Sequence, residues 1–423
     1  TVAESAIATV GDSNTTSRGN DQVDITVGRD AGTIYGSSTN TLTATATTSG
    51  SGTSTDAATA YINQKAAGTY DSVINIGNDG NLTNVATSTG NARATNIGDV
   101  KTTETDTSSA SLILDVQGLD QNTSDVVIGA DGAVASQAQA SGSAFAQNVN
   151  GVVTGSTTSP SASAGAYAIG DIDVYGTNLQ TDSTDITIGQ TGSITGLAIA
   201  GTLTSTGTLK DQILVTGTTT DGTANAVGTV NAAGIFGKGS SSSPATPGNA
   251  QSLLTAGPTG GNVIGQTISG MAVLANTIGD QAGSDDASSS MIAVIGGLQN
   301  VDILGGQVGT NLIKGTSTGD YDSTAISING DALAFGNVEG YGIYDGDGGT
   351  GNITTSGNIQ AISNLLNTVV ASSVAGSATA TATTTAIGLG NYNVTILGSG
   401  TLTANATGLA ESTSSSVAGR ASS

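Results

Sequence analysis

The sequence predicts an all-β fold of the repetitive, solenoidal kind. Three observations carry this. Aliphatic and polar residues alternate with period two in short runs such as Asp24-Ile25-Thr26-Val27 and Thr41-Leu42-Thr43-Ala44-Thr45-Ala46-Thr47, which puts one face of a strand inward and the other outward. A strand–Gly–x–x–Gly–strand motif recurs along the chain. Aromatic residues make up only 3% of the 423 residues, too few for a conventional globular core, whereas stacked coils need only a thin interior.

The motif appears first as Ile25-Thr26-Val27-Gly28-Arg29-Asp30-Ala31-Gly32-Thr33-Ile34, with one extra residue in the turn. Clear copies follow at Ile74–Leu82, Val126–Val134 and Ile186–Ile194, with looser ones at Ile326–Leu333 and Val394–Leu402. The first Gly of successive clear copies gives spacings of 77−28=49, 129−77=52 and 189−129=60 residues, periods that indicate arrays or solenoids. In each copy two aliphatics close a short strand, Gly or Asp-Gly supplies a positive φ at a tight corner, and the next strand opens on another aliphatic. Ile25, Val27, Ile74, Ile76, Val126, Ile128, Ile186 and Ile188 are therefore expected to point inward. The same Asp-Gly turns also suit β-hairpins, so an antiparallel β-sandwich array is the alternative architecture.

Other segments qualify this scheme. Asn358–Val374 carries Ile362, Leu365, Leu366 and Val369 at helical spacing and reads as the best helix candidate, with Ala272–Ile278 a weaker one. The stretch from Lys238 to Gly248, with Pro244 and Pro247, reads as an exposed loop. It divides the chain into an N-terminal β-repeat domain (1–237), a Pro/Ser/Gly-rich linker or protruding loop (238–261) and a C-terminal degenerate β-repeat domain (262–423).

Composition excludes several function classes. The chain has no Cys and no His, which removes thiol or imidazole nucleophiles, their metal sites and disulfides. Nine Lys and Arg against 32 Asp and Glu give a net charge of −23, with no basic patch for nucleic acid. No apolar run is long enough to insert in a membrane. Disorder is the other class that low aromatic content suggests, but only four Pro and frequent β-branched aliphatics argue for order. The first residue, Thr1, and the Ser/Thr/Gly-rich composition lead to the expectation of a secreted chain at the cell exterior, processed by loss of a leader.

Candidate chemistry is sparse. Asp345-Gly346-Asp347-Gly348-Gly349-Thr350-Gly351-Asn352 is the densest oxygen-donor loop. Asp345, Asp347 and Asn352 are the candidate ligands for calcium, the one cofactor the sequence suggests. An ordinary Asp/Gly turn is the other reading. No carboxylate pair is singled out as acid and base, so no enzymatic activity is expected. Tyr341 and Tyr344, with Phe335 nearby, are the one aromatic cluster suited to a ligand platform.

The quoted repeats, such as Ile74–Leu82 and Ile186–Ile194, lie in an acidic, Cys-free, Ser/Thr/Ala/Gly-rich setting. That combination resembles bacterial repeat-containing surface proteins: adhesins, surface-layer proteins and extracellular fibre subunits, including cyanobacterial cell-surface filament proteins. The resemblance implies a structural, non-enzymatic subunit that works through shape and assembly.

The expectation is a homopolymer joined head to tail through terminal β-strands. Thr1–Val10 and Val394–Ala406 are β-prone, lack Pro and carry no obvious cap. Val2, Ile7 and Val10 at one end, and Val394, Ile396 and Leu402 at the other, are the assembly candidates. The alternatives are that Thr1–Val10 folds back onto its own first coil, and that the chain is a monomeric adhesin or carbohydrate-binding solenoid whose partners are cell-surface or extracellular glycans.

Overall fold

A computed structural model describes residues 4–16, 19–21, 25–27, 33–51, 54–71, 73–78, 80–99, 105–129, 131–150, 163–180, 186–188, 191–211, 221–237, 252–257, 260–278, 285–306, 308, 311–346 and 350–423. Over these residues the chain is a parallel β-solenoid. It winds through three sheets in a fixed order: a long strand in the first broad sheet, a short strand in a narrow sheet, and a long strand in the second broad sheet. The second coil shows the pattern, with Ser54–Tyr70, Val73–Ile76 and Asn81–Asp99. Eight such coils stack, and every recorded strand pair is parallel. The antiparallel sandwich is thereby ruled out.

Each rung lies on its predecessor in near-continuous register. One vertical column of the first broad sheet passes through Ala6, Asp56, Ser108, Ala166, Ala224, Ala287, Ala332, Ala378 and Ala421. Subtraction along this column gives coils of 50, 52, 58, 58, 63, 45, 46 and 43 residues. In the narrow sheet Ile25 pairs with Ile74, Ile74 with Val126 and Val126 with Ile186. Those offsets of 49, 52 and 60 are the spacings of the sequence motif. The seam expected at 238–261 falls inside the fifth coil, whose strands Leu253–Ala256 and Gly260–Ile278 pair with coils on both sides; residues 238–251 lie outside the described residues.

The interior has two parts. Between the broad sheets it is lined mainly by Ala, including Ala58, Ala60, Ala86, Ala110, Ala138 and Ala168. Cα atoms of the two sheets approach within 8 Å, closer than the ~10 Å of ordinary stacked sheets, so at the Ala positions little beyond a methyl group fits, while Leu112, Leu114, Met291 and the fully buried Tyr321 take the larger spaces in the same cluster. Where the narrow sheet closes one edge the interior holds Ile, Leu and Val instead: Ile74, Ile76, Val126, Ile128 and Ile186 are buried there as expected. The side chains of Ile25, Val27 and Ile188 lie outside the described residues.

Two local expectations are corrected. Asn358–Ser373 is a strand, not a helix, and Ala272–Ile278 belongs to the strand Gly260–Ile278. In residues 359 to 371 every second residue is buried and those between are half-buried or, at Asn364, exposed, with Ile359, Leu365 and Val369 inward while Ile362 and Leu366 face out. The helical spacing arose because apolar residues occupy both faces of this strand. The motif glycines also serve a different purpose. Among the described residues, positive φ at glycine occurs at Gly257 and Gly260. Gly132 is instead required by close approach, since a Cβ there would lie 2.2 Å from the Gly80 carbonyl oxygen of the coil below. Positive φ falls on Asp71, Thr123, Asn300 and Asn391, each just after a first-broad-sheet strand ends, where the chain turns toward the narrow sheet.

The two interior regions predict opposite responses to side-chain size. Ile128→Ala should cost about 2–5 kcal/mol by opening a cavity. Ala138→Leu, although more apolar, should cost about 1–3 kcal/mol by overpacking. Chemical denaturation followed by circular dichroism measures both; a stabilised Ala138→Leu protein would contradict the thin-interior account.

Candidate assembly surface

Among the described residues, the strands at each end of the stack have a rung recorded on one side only. At one end lie Glu4–Thr16, Ile25–Val27 and Thr33–Ser51; at the other lie Ala378–Gly390, Tyr392–Ile396 and Leu402–Ser416, with Ala421–Ser422 starting the next rung. An edge strand presents a row of unpaired backbone N–H and C=O groups that template further pairing. Burial changes abruptly at the second end. Ile353 and Ile359 in the seventh coil are fully buried, whereas Leu402, stacked on Ile359, is 46% exposed. Val394 stacks on Ile353 and Ile396 on Thr355, and both are half-buried against the aliphatic cluster.

The assembly candidates at this end therefore belong to the last full coil and terminate interior columns. One aliphatic column runs from Ile25 through Ile74, Val126, Ile186, Leu254, Ile303 and Ile353 to Val394. Another runs from Ile34 through Leu82, Val134, Ile194, Val263, Ile313 and Ile359 to Leu402. At the opposite end Glu4–Thr16 pairs with its own second coil, Ile7 with Ala57 and Val10 with Ala60. Within one chain this segment is thus the first rung of its own solenoid, with one edge engaged. Val2 lies outside the described residues.

A corner device absent from the sequence reading organises this end. Ser373 Oγ donates to the Gly330 carbonyl of the coil below and accepts from the Gly376 N–H of its own turn. Ser416 repeats the arrangement, donating to the Gly376 carbonyl and accepting from Gly419 N–H. Ser327 does the same one coil earlier, with the Asp285 carbonyl and Gly330 N–H. The signal was available: Ser-Val-Ala-Gly occurs at both 373–376 and 416–419.

The calcium candidates are not gathered on one face. Asp345 is fully buried at the corner following the seventh coil's first strand, and Asn391 Nδ2 donates to its carbonyl at 2.8 Å. Asn352 faces out of the narrow sheet, where its N–H donates to Asp302 Oδ1 at 2.7 Å. Asp347 lies outside the described residues. Among the described residues no group of three metal-ligating side chains comes together. The aromatic cluster is largely self-occupied: Tyr341 stacks on Tyr344 at 4.2 Å, and its hydroxyl donates to Glu339 at 2.6 Å.

Carboxylates on the outer side of the first broad sheet sit on adjacent rungs, Asp115 beside Asp173, with Asp171 on the same strand as the latter. Gln117 donates to Asp115 and Asn231 to Asp173, each at 2.9 Å. Burial pushes all three carboxyls above the ordinary carboxylate range, and repulsion from Asp173 adds to the effect on Asp115 and Asp171. No family model, curated protein or solved structure matches this chain.

These raised values set a pH dependence. Below the ordinary 3.8 the carboxyls are protonated both folded and unfolded, so they impose no penalty. As pH rises through the higher folded values the folded form resists ionisation, and stability falls. Asp173→Asn should therefore raise Tm by about 1–3 °C at pH 7 and have no effect near pH 3. A variant less stable than the parent at pH 7 would contradict this.

Proposed function

We propose that the protein is a structural subunit of a bacterial extracellular fibre or surface layer, and that it grows head to tail by stacking the first coil of one copy on the last coil of another. The observation carrying this reading is the continuity of the interior columns. Ile25 and Ile34 begin columns that Val394 and Leu402 end, and the members between them are aliphatic throughout. A second copy laid in register extends both columns and covers the half-exposed Leu402. The contact is heterologous and does not close, so repetition yields a filament. The net charge of −23 favours solubility of the sides, leaving the ends as the adhesive surfaces. Location outside the cell and the absence of enzymatic activity belong to the same proposal.

Glycan binding is the second reading, supported by a shallow cleft of about 350 Å³ on the second broad sheet. Its lining includes Thr43, Asn91, Ser143 and Arg93, the last with its guanidinium 4.7 Å from the Phe145 ring centre. Hydroxyl and amide groups beside one cation suit a carboxylated sugar.

Register provides the test. Thr39 and Thr407 occupy the same outward column, seven rungs apart within one chain, or roughly 34 Å at the usual strand spacing. In a head-to-tail contact they become neighbours at about 5 Å, within disulfide reach. Because the chain has no native Cys, a Thr39→Cys/Thr407→Cys protein should form an oxidised ladder of covalent oligomers, and electron microscopy should show filaments. The pair Thr39→Cys/Thr403→Cys, displaced by roughly 13 Å along the strand, should not. Monomers only, with Arg93-dependent binding to oligogalacturonate, would favour the second reading.

A further inference from the structure

The outer side of the first broad sheet gathers an amine, a polarised carboxyl and a proton carrier from three successive coils. Lys65 lies on Ser54–Tyr70, Asp120 on Thr105–Asn122 and Asn178 on Ser163–Leu179. Lys65 Nζ donates to Asp120 Oδ2 across 55 residues of chain. The Asp120 carboxylate is held from its other side as well. Its Oδ1 accepts from Asn178 Nδ2 at 3.0 Å and from Gln180 Nε2 at 2.6 Å. The Asp120 side chain is 6% exposed, that of Lys65 25%. Gln117 stands beside Lys65 in the register, with Tyr175 one rung further, its ring 5.1 Å from that of Phe236. Gln117 accepts from Asn178 at 3.3 Å and donates to Asp115 Oδ1 at 2.9 Å, which ties a second carboxyl into the cluster. Burial, with repulsion from Asp173 and Asp120, raises the affinity of Asp115 for a proton, while Gln117 and Lys65 oppose the rise.

We infer that Lys65 and Asp120 condense to an internal amide that joins the second and third coils covalently, with Asp115 relaying protons. Each part has a place. The Lys65 nitrogen, after giving a proton to Asp115, attacks Asp120 Cγ. Negative charge develops on Oδ1, where the Asn178 and Gln180 amides already donate. Oδ2 then leaves as water: its C–O bond breaks, the new C–N bond stays, and two of the three ammonium protons end on the departing oxygen by way of Asp115. One ammonium and one carboxylate give one amide and one water. Asp115 returns to its starting state, and no oxidant or cofactor is used. Holding the amine against the carboxyl in a folded frame supplies an effective concentration of roughly 10⁵–10⁸ M, which drives the condensation. An ordinary ion pair needs neither the two amides on Oδ1 nor a protonatable neighbour. The chain has no Cys, so no disulfide can tie coil to coil. Neither the chemistry nor its test depends on head-to-tail growth.

Mass spectrometry of the full chain decides the matter. The intact protein should be lighter than its sequence by one water, and digestion should yield a branched peptide joining Lys65 to Asp120. Lys65→Arg keeps a cation against Asp120 and should restore the full mass. Asp115→Asn should slow the loss of water by roughly 100-fold or more, read as a time course after cell-free synthesis. Circular dichroism spectra matching the parent show that both variants fold. A parent chain of full mass would overturn the inference. So would loss of water without the branched peptide, because an Asp-Gly pair such as Asp131-Gly132 can lose water by closing on itself. Condensation of Asp115→Asn at the parent's rate would overturn the relay while leaving the amide.

Discussion

The structure depends on in-register parallel stacking. Once each strand hydrogen-bonds to the strand one coil earlier, every residue acquires a neighbour above and below at the inter-strand distance. Side-chain choice then becomes a property of columns. The aliphatic columns ending at Val394 and Leu402 and the repeated serine–glycine corner at Ser327, Ser373 and Ser416 all follow from that one constraint. It also tolerates coils from 43 to 63 residues, with register shifts inside strands at Val10/Ser13, Ala140/Gly142 and Ala200/Thr202.

The same constraint explains the composition. The space between the two closely set broad sheets is filled mainly by Ala, with a few larger side chains such as Leu112, Met291 and Tyr321 among them, so a core of this length is built with three Phe and no Trp. Larger aliphatics concentrate at the narrow-sheet edge, where the cross-section opens. Stability is distributed along the stack, each coil depending on its two neighbours. Where no further rung is described, this shows directly: Leu402 is 46% exposed, while Ile359 beneath it in the same column is fully buried.

On the head-to-tail reading proposed above, fibre growth would need no dedicated interface. The surface that one copy offers another is the surface each coil already offers the next, with the same columns and the same backbone ladder. Specificity comes from register: aliphatic must meet aliphatic along the columns from Ile25 and Ile34, and the corners must superpose. The partly buried carboxylates Asp115, Asp171 and Asp173 of the outer surface are accommodated best when protonated, so the stack loses stability as pH rises.

Much of the architecture was legible in the residues themselves. Period-two alternation marked the strands, and the spacing of the glycine motif equals the offsets of the narrow sheet, because a motif tied to one corner must recur once per coil. Val394, Ile396 and Leu402 were legible as β-prone and repeat-like for the same reason. The sequence alone left open whether Asn358–Val374 was helix or strand, since apolar residues on both faces of a strand can mimic helical spacing. It left open why Gly132 is glycine, because the obstacle is the Gly80 carbonyl one coil and 52 residues away. It could not separate Asp345 from Asn352, adjacent in a loop yet turned inward and outward. The column that joins Ala6 to Ala421 was equally invisible: it runs through eight successive pairings, which only the assembled stack brings into line.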